Sequence, residues 1–157
     1  MSETNTPDSA QPPLVVNGQY VKDLSFEVPG APAIFGEMQN QSPNIPIHVD
    51  INAAQLHENS FEVTLHLKVE ARLNDNRPVF IVELAYGGIF TVNVAPEHLQ
   101  AMLLIECPRL LFPFARTIVA DLTRDGGFPP LMIQPIDFVQ LFRARMEAAQ
   151  QEAQGTA

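Results

Sequence analysis

Phe61-Glu62-Val63-Thr64-Leu65-His66-Leu67-Lys68-Val69-Glu70-Ala71-Arg72-Leu73 alternates apolar and polar residues without error. A side-chain period of two marks a strand with one face buried and one face wet. On its N-terminal side, Ile45, Ile47, Val49 and Ile51 alternate with Pro46, His48, Asp50 and Asn52, which predicts a second strand. Pro46 cannot donate a ladder hydrogen bond, so it belongs at that strand's start or on an edge. On the C-terminal side, Asp75-Asn76 predicts a tight turn, and Val79 to Tyr86 returns as a hairpin partner. Gly87-Gly88 predicts a bulge or bend near the end of that strand. Tyr20 to Val28 predicts the first strand, with Leu24, Phe26 and Val28 on one face and Val21, Asp23, Ser25 and Glu27 on the other. Pro29-Gly30-Ala31-Pro32 stops it. The linking segment 29–44 is long for a hairpin loop and predicts a crossover.

After Tyr86 the period changes. Pro96 and Glu97 fit the first turn of a helix running to about Cys107. A longer helix is expected from about Pro108 to Arg124, ended by Gly126-Gly127. Leu111, Phe114, Ala115, Ile118 and Leu122 form its apolar stripe, widened by Phe112 and Val119. Pro113 should kink this helix or mark its true start. A single sheet covers one side of a helix, so a stripe this wide predicts a second subunit on the other. Asp137 is a good N-cap for a last helix carrying Phe138, Leu141, Phe142 and Met146. The expected architecture is α+β: a four-stranded antiparallel meander, with a crossover after strand 1, followed by helices packed on one face. Residues 1–17 read as a disordered tail, 18–149 as one domain and 150–157 as a flexible end.

The chain has 157 residues, 46% of them hydrophobic, enough for a substantial core. Its formal charge is −9, from 18 acidic and 9 basic residues. That balance disfavours nucleic acid and anionic membrane surfaces and favours basic partners. The one cysteine, Cys107, cannot form an intrachain disulfide, which fits a reducing compartment. Met1 to Pro13 lacks the basic start and apolar run of a secretory signal. No stretch approaches the ~18 apolar residues of a membrane span, so no insertion into a membrane is expected.

No catalytic or metal-binding constellation stands out. His48, His57, His66 and His98 lack ligand spacing, although His48 and His66 share a polar face and can neighbour each other. Cys107 precedes a helix junction, where a lowered pKa would make a nucleophile, but a buried structural thiol fits as well. Asp121 and Asp125 stand at i, i+4 with Arg124 between them, as ordinary surface charge does. No phosphate loop, dinucleotide fingerprint or Gly-x-Ser-x-Gly occurs. Three readings remain: a binder of unfolded chains, a small-ligand-binding or enzymatic α+β domain, and an interaction protein for folded partners. On the outer sheet face, Asp23, Glu27 and Glu83 gather around Ile81. This is either plain soluble surface or a docking face for a basic partner.

Several segments together resemble the SecB protein-export chaperones. They are Tyr20-Val21-Lys22-Asp23-Leu24-Ser25-Phe26-Glu27 before Pro29, and Gly87-Gly88-Ile89-Phe90. Cys107-Pro108-Arg109-Leu110-Leu111-Phe112-Pro113-Phe114-Ala115-Arg116 is a third. Phe128-Pro129-Pro130-Leu131, Pro135-Ile136-Asp137-Phe138 and Leu141-Phe142 complete the set, in order, across roughly residues 18 to 146. The resemblance implies a cytoplasmic chaperone without nucleotide, metal or other cofactor and without catalytic residues. It implies a homotetramer, a dimer of dimers, that holds unfolded precursors and delivers them to the SecA motor ATPase. By position it puts the SecA docking site at Asp23, Glu27, Ile81 and Glu83. It puts an unfolded-client groove at Ile45, Ile47, Val49, Phe142 and Met146. Alternation alone makes Ile45, Ile47 and Val49 ordinary core. The segment 36–44 departs from the resemblance: it reads Gly36-Glu37-Met38 where a bulky aromatic is usual.

Overall fold

The computed structural model describes residues 11–155. Its strands are β1 (Leu14–Glu27), β2 (Ile47–His57), β3 (Ser60–Arg72) and β4 (Pro78–Val92). Its helices are α1 (Ala33–Glu37), α2 (Pro96–Ala101), α3 (Cys107–Asp125) and α4 (Phe138–Gln154), and a π-helical turn, Met102–Glu106, joins α2 to α3. The strands form one antiparallel sheet in the order β1-β4-β3-β2. The segment after β1 therefore travels from one edge of the sheet to the other. Among the described residues, no helix is long and apolar enough to cross a membrane.

The alternation in β3 becomes a core. Val63, Leu65, Leu67, Val69 and Ala71 are almost fully buried, while Glu62, His66, Lys68 and Glu70 line the opposite face. Phe80, Val82, Leu84, Tyr86 and Phe90 of β4 join them on the buried face. Each such side chain contributes about 1.5–3 kcal/mol on burial. Asn76 takes a left-handed φ of 71° in the turn, and its N–H donates to the Leu73 carbonyl at 2.9 Å. Pro46 stands just before β2, at the start of an edge strand, where its carbonyl accepts the Glu70 N–H and only the return bond of that pair is missing.

β1 begins at Leu14, so residues 14–17, expected in the tail, belong to the sheet. Residues 1–10 of that expected tail lie outside the described residues. The early start escapes a reading by alternation because β1 slips register twice, at Asn17 and at Lys22. Each slip reverses which face the next residues occupy. At the other end, α4 is helical to Gln154, so much of the expected flexible end continues the helix.

Gly87-Gly88 is not the expected bulge. β4 runs through it to Val92, with Gly87 opposite Tyr20 and Gly88 opposite Gln19. The irregularities sit on the partner strand instead. A Cβ on Gly87 would lie 2.8 Å from the Tyr20 ring, which crosses over it to donate a hydrogen bond to Glu62 of β3. A Cβ on Gly88 would lie 2.6 Å from Phe90 and 2.9 Å from Leu111. The glycines are therefore close-approach positions on the two faces of one strand.

Pro108 explains the π-helical turn. A proline inside a helix lacks an N–H and crowds the carbonyl of residue i−4. Widening the preceding turn relieves this: the Cys107 N–H reaches back five residues, to the Met102 carbonyl. Pro113 lies within α3 and neither starts nor ends it. Leu111, Ala115 and Val119 press on the sheet at 0% exposure, whereas Leu110 and Phe114 keep 41% and 52%, Phe114 with its ring stacked on Tyr86 of β4 at a centroid distance of 6.2 Å. Asp137 caps α4 by accepting the Gln140 N–H at 3.0 Å.

Gly88→Ala is expected to lower stability by about 1–3 kcal/mol, because Phe90 and Leu111 are fully packed and cannot yield without strain. Urea unfolding at fixed protein concentration checks this; an unchanged midpoint would contradict the close-approach reading.

Candidate functional site

Alternation puts Ile45, Ile47 and Val49 on the core side of the sheet, yet the core does not cover them. Ile45 is 37% exposed, and Ile47 and Val49 are only half-buried. They form one side of an open apolar groove of about 390 Å³. Leu131, Met132, Ile133, Gln134 and Ile136, from the loop between α3 and α4, form the other. Ile133 is buried and anchors this wall, while Met132 is 53% exposed and presents a flexible apolar side chain.

The wall is held by a few contacts. Buried Thr123 accepts the Leu131 N–H on its hydroxyl oxygen at 2.9 Å. That hydroxyl donates back to the carbonyls of Val119 and Ala120. The Thr123 carbonyl accepts the Phe128 N–H at 3.0 Å. Phe128 in turn packs with Phe26, Phe35 and Phe80 at centroid distances of 6.5, 5.1 and 5.0 Å. This cluster joins the end of β1, the crossover, β4 and the loop. Gly127 bends the chain there with φ of 96°, a conformation that favours glycine. The crossover thus does carry an aromatic, Phe35, one residue before Gly36, and Met38 packs against the core.

A second depression, of about 510 Å³, meets the first at Val49. Val49 to Asn52, Leu104, and Leu141, Phe142, Ala144 and Arg145 of α4 line it. Phe142 therefore stands beside the β2 groove, as its position implied. Met146 is half-buried on the next turn of α4 and lines neither depression. The Arg145 guanidinium donates to the Ile51 carbonyl at 2.8 Å and ties α4 to β2. Leu131 to Ile136, Thr123 and Arg145 carry no sequence signal for this role beyond the prolines that keep the loop extended.

The outer face of the sheet is acidic. Glu83 lies opposite Ser25, Ile81 lies opposite Glu27, and Asp23 lies opposite Ala85, so Asp23, Glu27, Ile81 and Glu83 share one face. Asp23, Glu27 and Glu83 are exposed and Ile81 is half-buried. Lys68 sits among them, 3.0 Å from Glu70 and 3.4 Å from Glu83. Hydrogen bonds to Glu70 and then Glu83 raise its pKa above the usual lysine value. Asp23 and Glu27 form no ion pair among the described residues. Displaced from β1 by its register slip, Lys22 reaches Glu62 at 2.7 Å, and its hydrogen bond is the largest cause holding that carboxyl below its ordinary pKa.

The chemical alternatives find little support in the geometry. Burial, and then the neighbouring Glu106 charge, push the Cys107 thiol up to about 12, so no thiolate forms near neutrality. His48 pairs with Lys68 and His66 with Asp50, so the two histidines are offset on the sheet. No group of three or more metal-ligating side chains gathers among the described residues. Arg124 contacts both Asp121 and Asp125, at 3.3 and 3.4 Å.

What these residues build is an α+β binding scaffold, with an apolar groove on one face of a sheet and an acidic surface on the other. Comparison with known proteins gives the scaffold its family. Residues 7–149 match the family described as Preprotein translocase subunit SecB. The chain is 60% identical over 154 residues to the protein-export protein SecB of Paramagnetospirillum magneticum, covering 98% of this chain and 97% of that one. It is 56% identical over 151 residues to that of Rhodospirillum rubrum, covering 96% and 93%. A solved SecB-like chaperone of Mycobacterium tuberculosis, in complex with a peptide from the HigA1 antitoxin, shares the fold. Its TM-score is 0.63 at 16% identity, over 79% of this chain and 90% of that one. The chain belongs to the SecB family.

Thr123→Val keeps the shape of the side chain but strands the Leu131 N–H. It should cost about 1–3 kcal/mol and speed hydrogen exchange at Leu131. Exchange as slow as in the parent protein would show that the hydroxyl does not hold the groove wall.

Proposed function

We propose that this chain is an ATP-independent cytoplasmic chaperone of the Sec export pathway. It holds unfolded precursors in the groove and passes them to the SecA motor. The observation that carries the reading is the uncovered apolar side of β2: Ile45, Ile47 and Val49 facing Leu131 to Ile136 in an open trough. An unfolded chain exposes scattered apolar side chains, and each gains about 1.5–3 kcal/mol on full burial. Much of that gain is offset by ordering the client. A single site therefore binds weakly, and strength comes from several linked segments on one assembly.

The assembly in this reading is a homotetramer, a dimer of dimers. Leu110 and Phe114 of α3, and Val16, Val21 and Leu24 on β1, are exposed apolar side chains that a second copy would cover. The acidic outer face is the SecA docking site, through Asp23, Glu27, Ile81 and Glu83. Asp23 and Glu27 offer charge without an internal partner, whereas a basic group reaching Glu83 must compete with Lys68. Client and motor then occupy opposite faces of one sheet, so release follows from competition for the client and needs no nucleotide on this chain.

Replacing Ile45, Ile47 and Val49 together with serine should weaken holding of an unfolded precursor at least tenfold, while light scattering still reports four chains. Undiminished holding would remove the groove from the mechanism. Charge reversal by Asp23→Lys with Glu83→Lys should weaken SecA binding at least tenfold and leave client holding unchanged. Equal SecA affinity, measured calorimetrically at low salt, would rule out the outer face as the dock.

A further inference from the structure

Two segments far apart in sequence meet at Phe35 and Phe128, and they are held very differently. The loop between α3 and α4 is tied to α3 through Thr123. The crossover, residues 33–43, has backbone hydrogen bonds, but they are local: Ile34 to Gly30, Phe35 to Pro32, Met38 to Ile34, Gln39 to Gly36 and Asn40 to Glu37. The sheet takes hold of the chain again only at Asn44, which exchanges a pair of bonds with Arg72. Between those points, Ile34, Phe35 and Met38 make apolar contacts. Among the described residues, one polar side-chain contact links residues 33–43 to the rest of the molecule: Arg77 Nη1 lies 2.6 Å from Glu37 Oε2. That oxygen is buried, and the approach is too oblique for a hydrogen bond, so the pair holds by charge. Arg77 is fixed from its own side. Its Nε donates to Asp75 at 2.7 Å, and its carbonyl accepts the Leu73 N–H at 2.9 Å in the β3–β4 turn.

We infer that Glu37 and Arg77 are positioning residues for client holding: the pair clamps α1 to the β3–β4 turn and so keeps Phe35 against the loop that forms the groove wall. This rests on the client groove proposed above and adds what fixes its shape. Neither residue lines the groove, so each acts through α1. Glu37 stands two residues after Phe35 on that helix. The Phe35 ring stacks on Phe128 at 5.1 Å and covers Gly127, where a Cβ would lie 3.1 Å from it. Phe128 leads directly into the wall residues from Leu131 onward. A helix of five residues has no stability of its own. Apolar contacts hold it close without fixing its direction, so it can tilt about buried Ile34 unless a further point is tied down. Glu37 supplies that point. An open surface pair contributes little because two long side chains must be ordered. Here one oxygen is already shielded and the arginine is already held by Asp75. A crossover free to tilt must be ordered each time a client arrives, and that weakens binding.

The test uses the full chain, with reduced and alkylated α-lactalbumin as a permanently unfolded probe. Glu37→Gln and Arg77→Gln should each weaken holding of the probe about threefold, the size of one such ion pair. Combined, they should still cost about threefold, and not the roughly ninefold of two independent sites. Glu37→Lys sets like charges together and should cost at least about fivefold at ~0.05 M salt, falling to within about twofold of Glu37→Gln at ~0.5 M as the charges are screened. In every variant hydrogen exchange at the Met38 amide should speed up, while the urea unfolding midpoint stays that of the parent. Unchanged holding and unchanged exchange in Glu37→Gln overturn the clamp. Faster exchange with unchanged holding shows that the pair fixes α1 without serving the client, and overturns the positioning role. Tighter holding means that the crossover covers the groove instead of shaping it, and also overturns the inference. Independent losses in the double variant, or a Glu37→Lys defect indifferent to salt, remove the charge pair as the cause. Failure of the parent chain to hold the probe at all removes the groove reading, and this inference with it; every other failure leaves the groove standing.

Discussion

One helix lies on a sheet of four strands, and most of what is distinctive here follows from that mismatch. A helix with its side chains is about 10 Å across, while strands sit ~4.8 Å apart. α3 can therefore cover about two strands, and it covers the central pair: Leu111, Ala115 and Val119 are wholly buried against β3 and β4. The core-side faces of the two edge strands are left over. On β1 this leaves Val16, Val21 and Leu24 exposed; at β2 it leaves Ile45, just before the strand, exposed and Ile47 and Val49 half-covered. These are not defects of packing. They are apolar surface that a single chain of this topology cannot hide, and that other polypeptides can.

The groove also needs a second wall, and that wall is made with polar chemistry. Thr123 is one of two buried polar residues among the described residues, and its hydroxyl and carbonyl between them satisfy the N–H groups of Leu131 and Phe128. A loop rich in prolines has few donors of its own with which to form structure, so two well-placed bonds define much of its path. The four-phenylalanine cluster then locks the loop to the crossover. The crossover and the loop, distant in sequence, become a single rigid rim. In the proposed function, rigidity there has a physical benefit: a preformed trough orders fewer of its own side chains on binding.

The sheet keeps its two faces chemically apart through strand alternation. Val49 looks into the groove, and its neighbours His48 and Asp50 look out onto the acidic surface. Two partners can then use one sheet without touching each other. The tertiary fold adds a local exception at Gly87, where the absence of a side chain lets Tyr20 cross β4 to meet Glu62.

Alternation is a local property, so the sequence by itself determined what depends on it. The β3–β4 hairpin, the turn at Asn76, the cap at Asp137 and the shared face of Asp23, Glu27, Ile81 and Glu83 could all be read from residue order. The bulges on β1 could not, because a slip of one residue looks like a break in the pattern. Nor could the groove. Period two says which way Ile45, Ile47 and Val49 point, and not whether anything lies over them. That is decided by where α3 sits, by a wall some 80 residues downstream, and by a contact between Arg145 and Ile51 across 94 positions. Burial is a property of the whole chain. Sequence chose the side of the sheet, and only the tertiary structure decided which part of that side stays open.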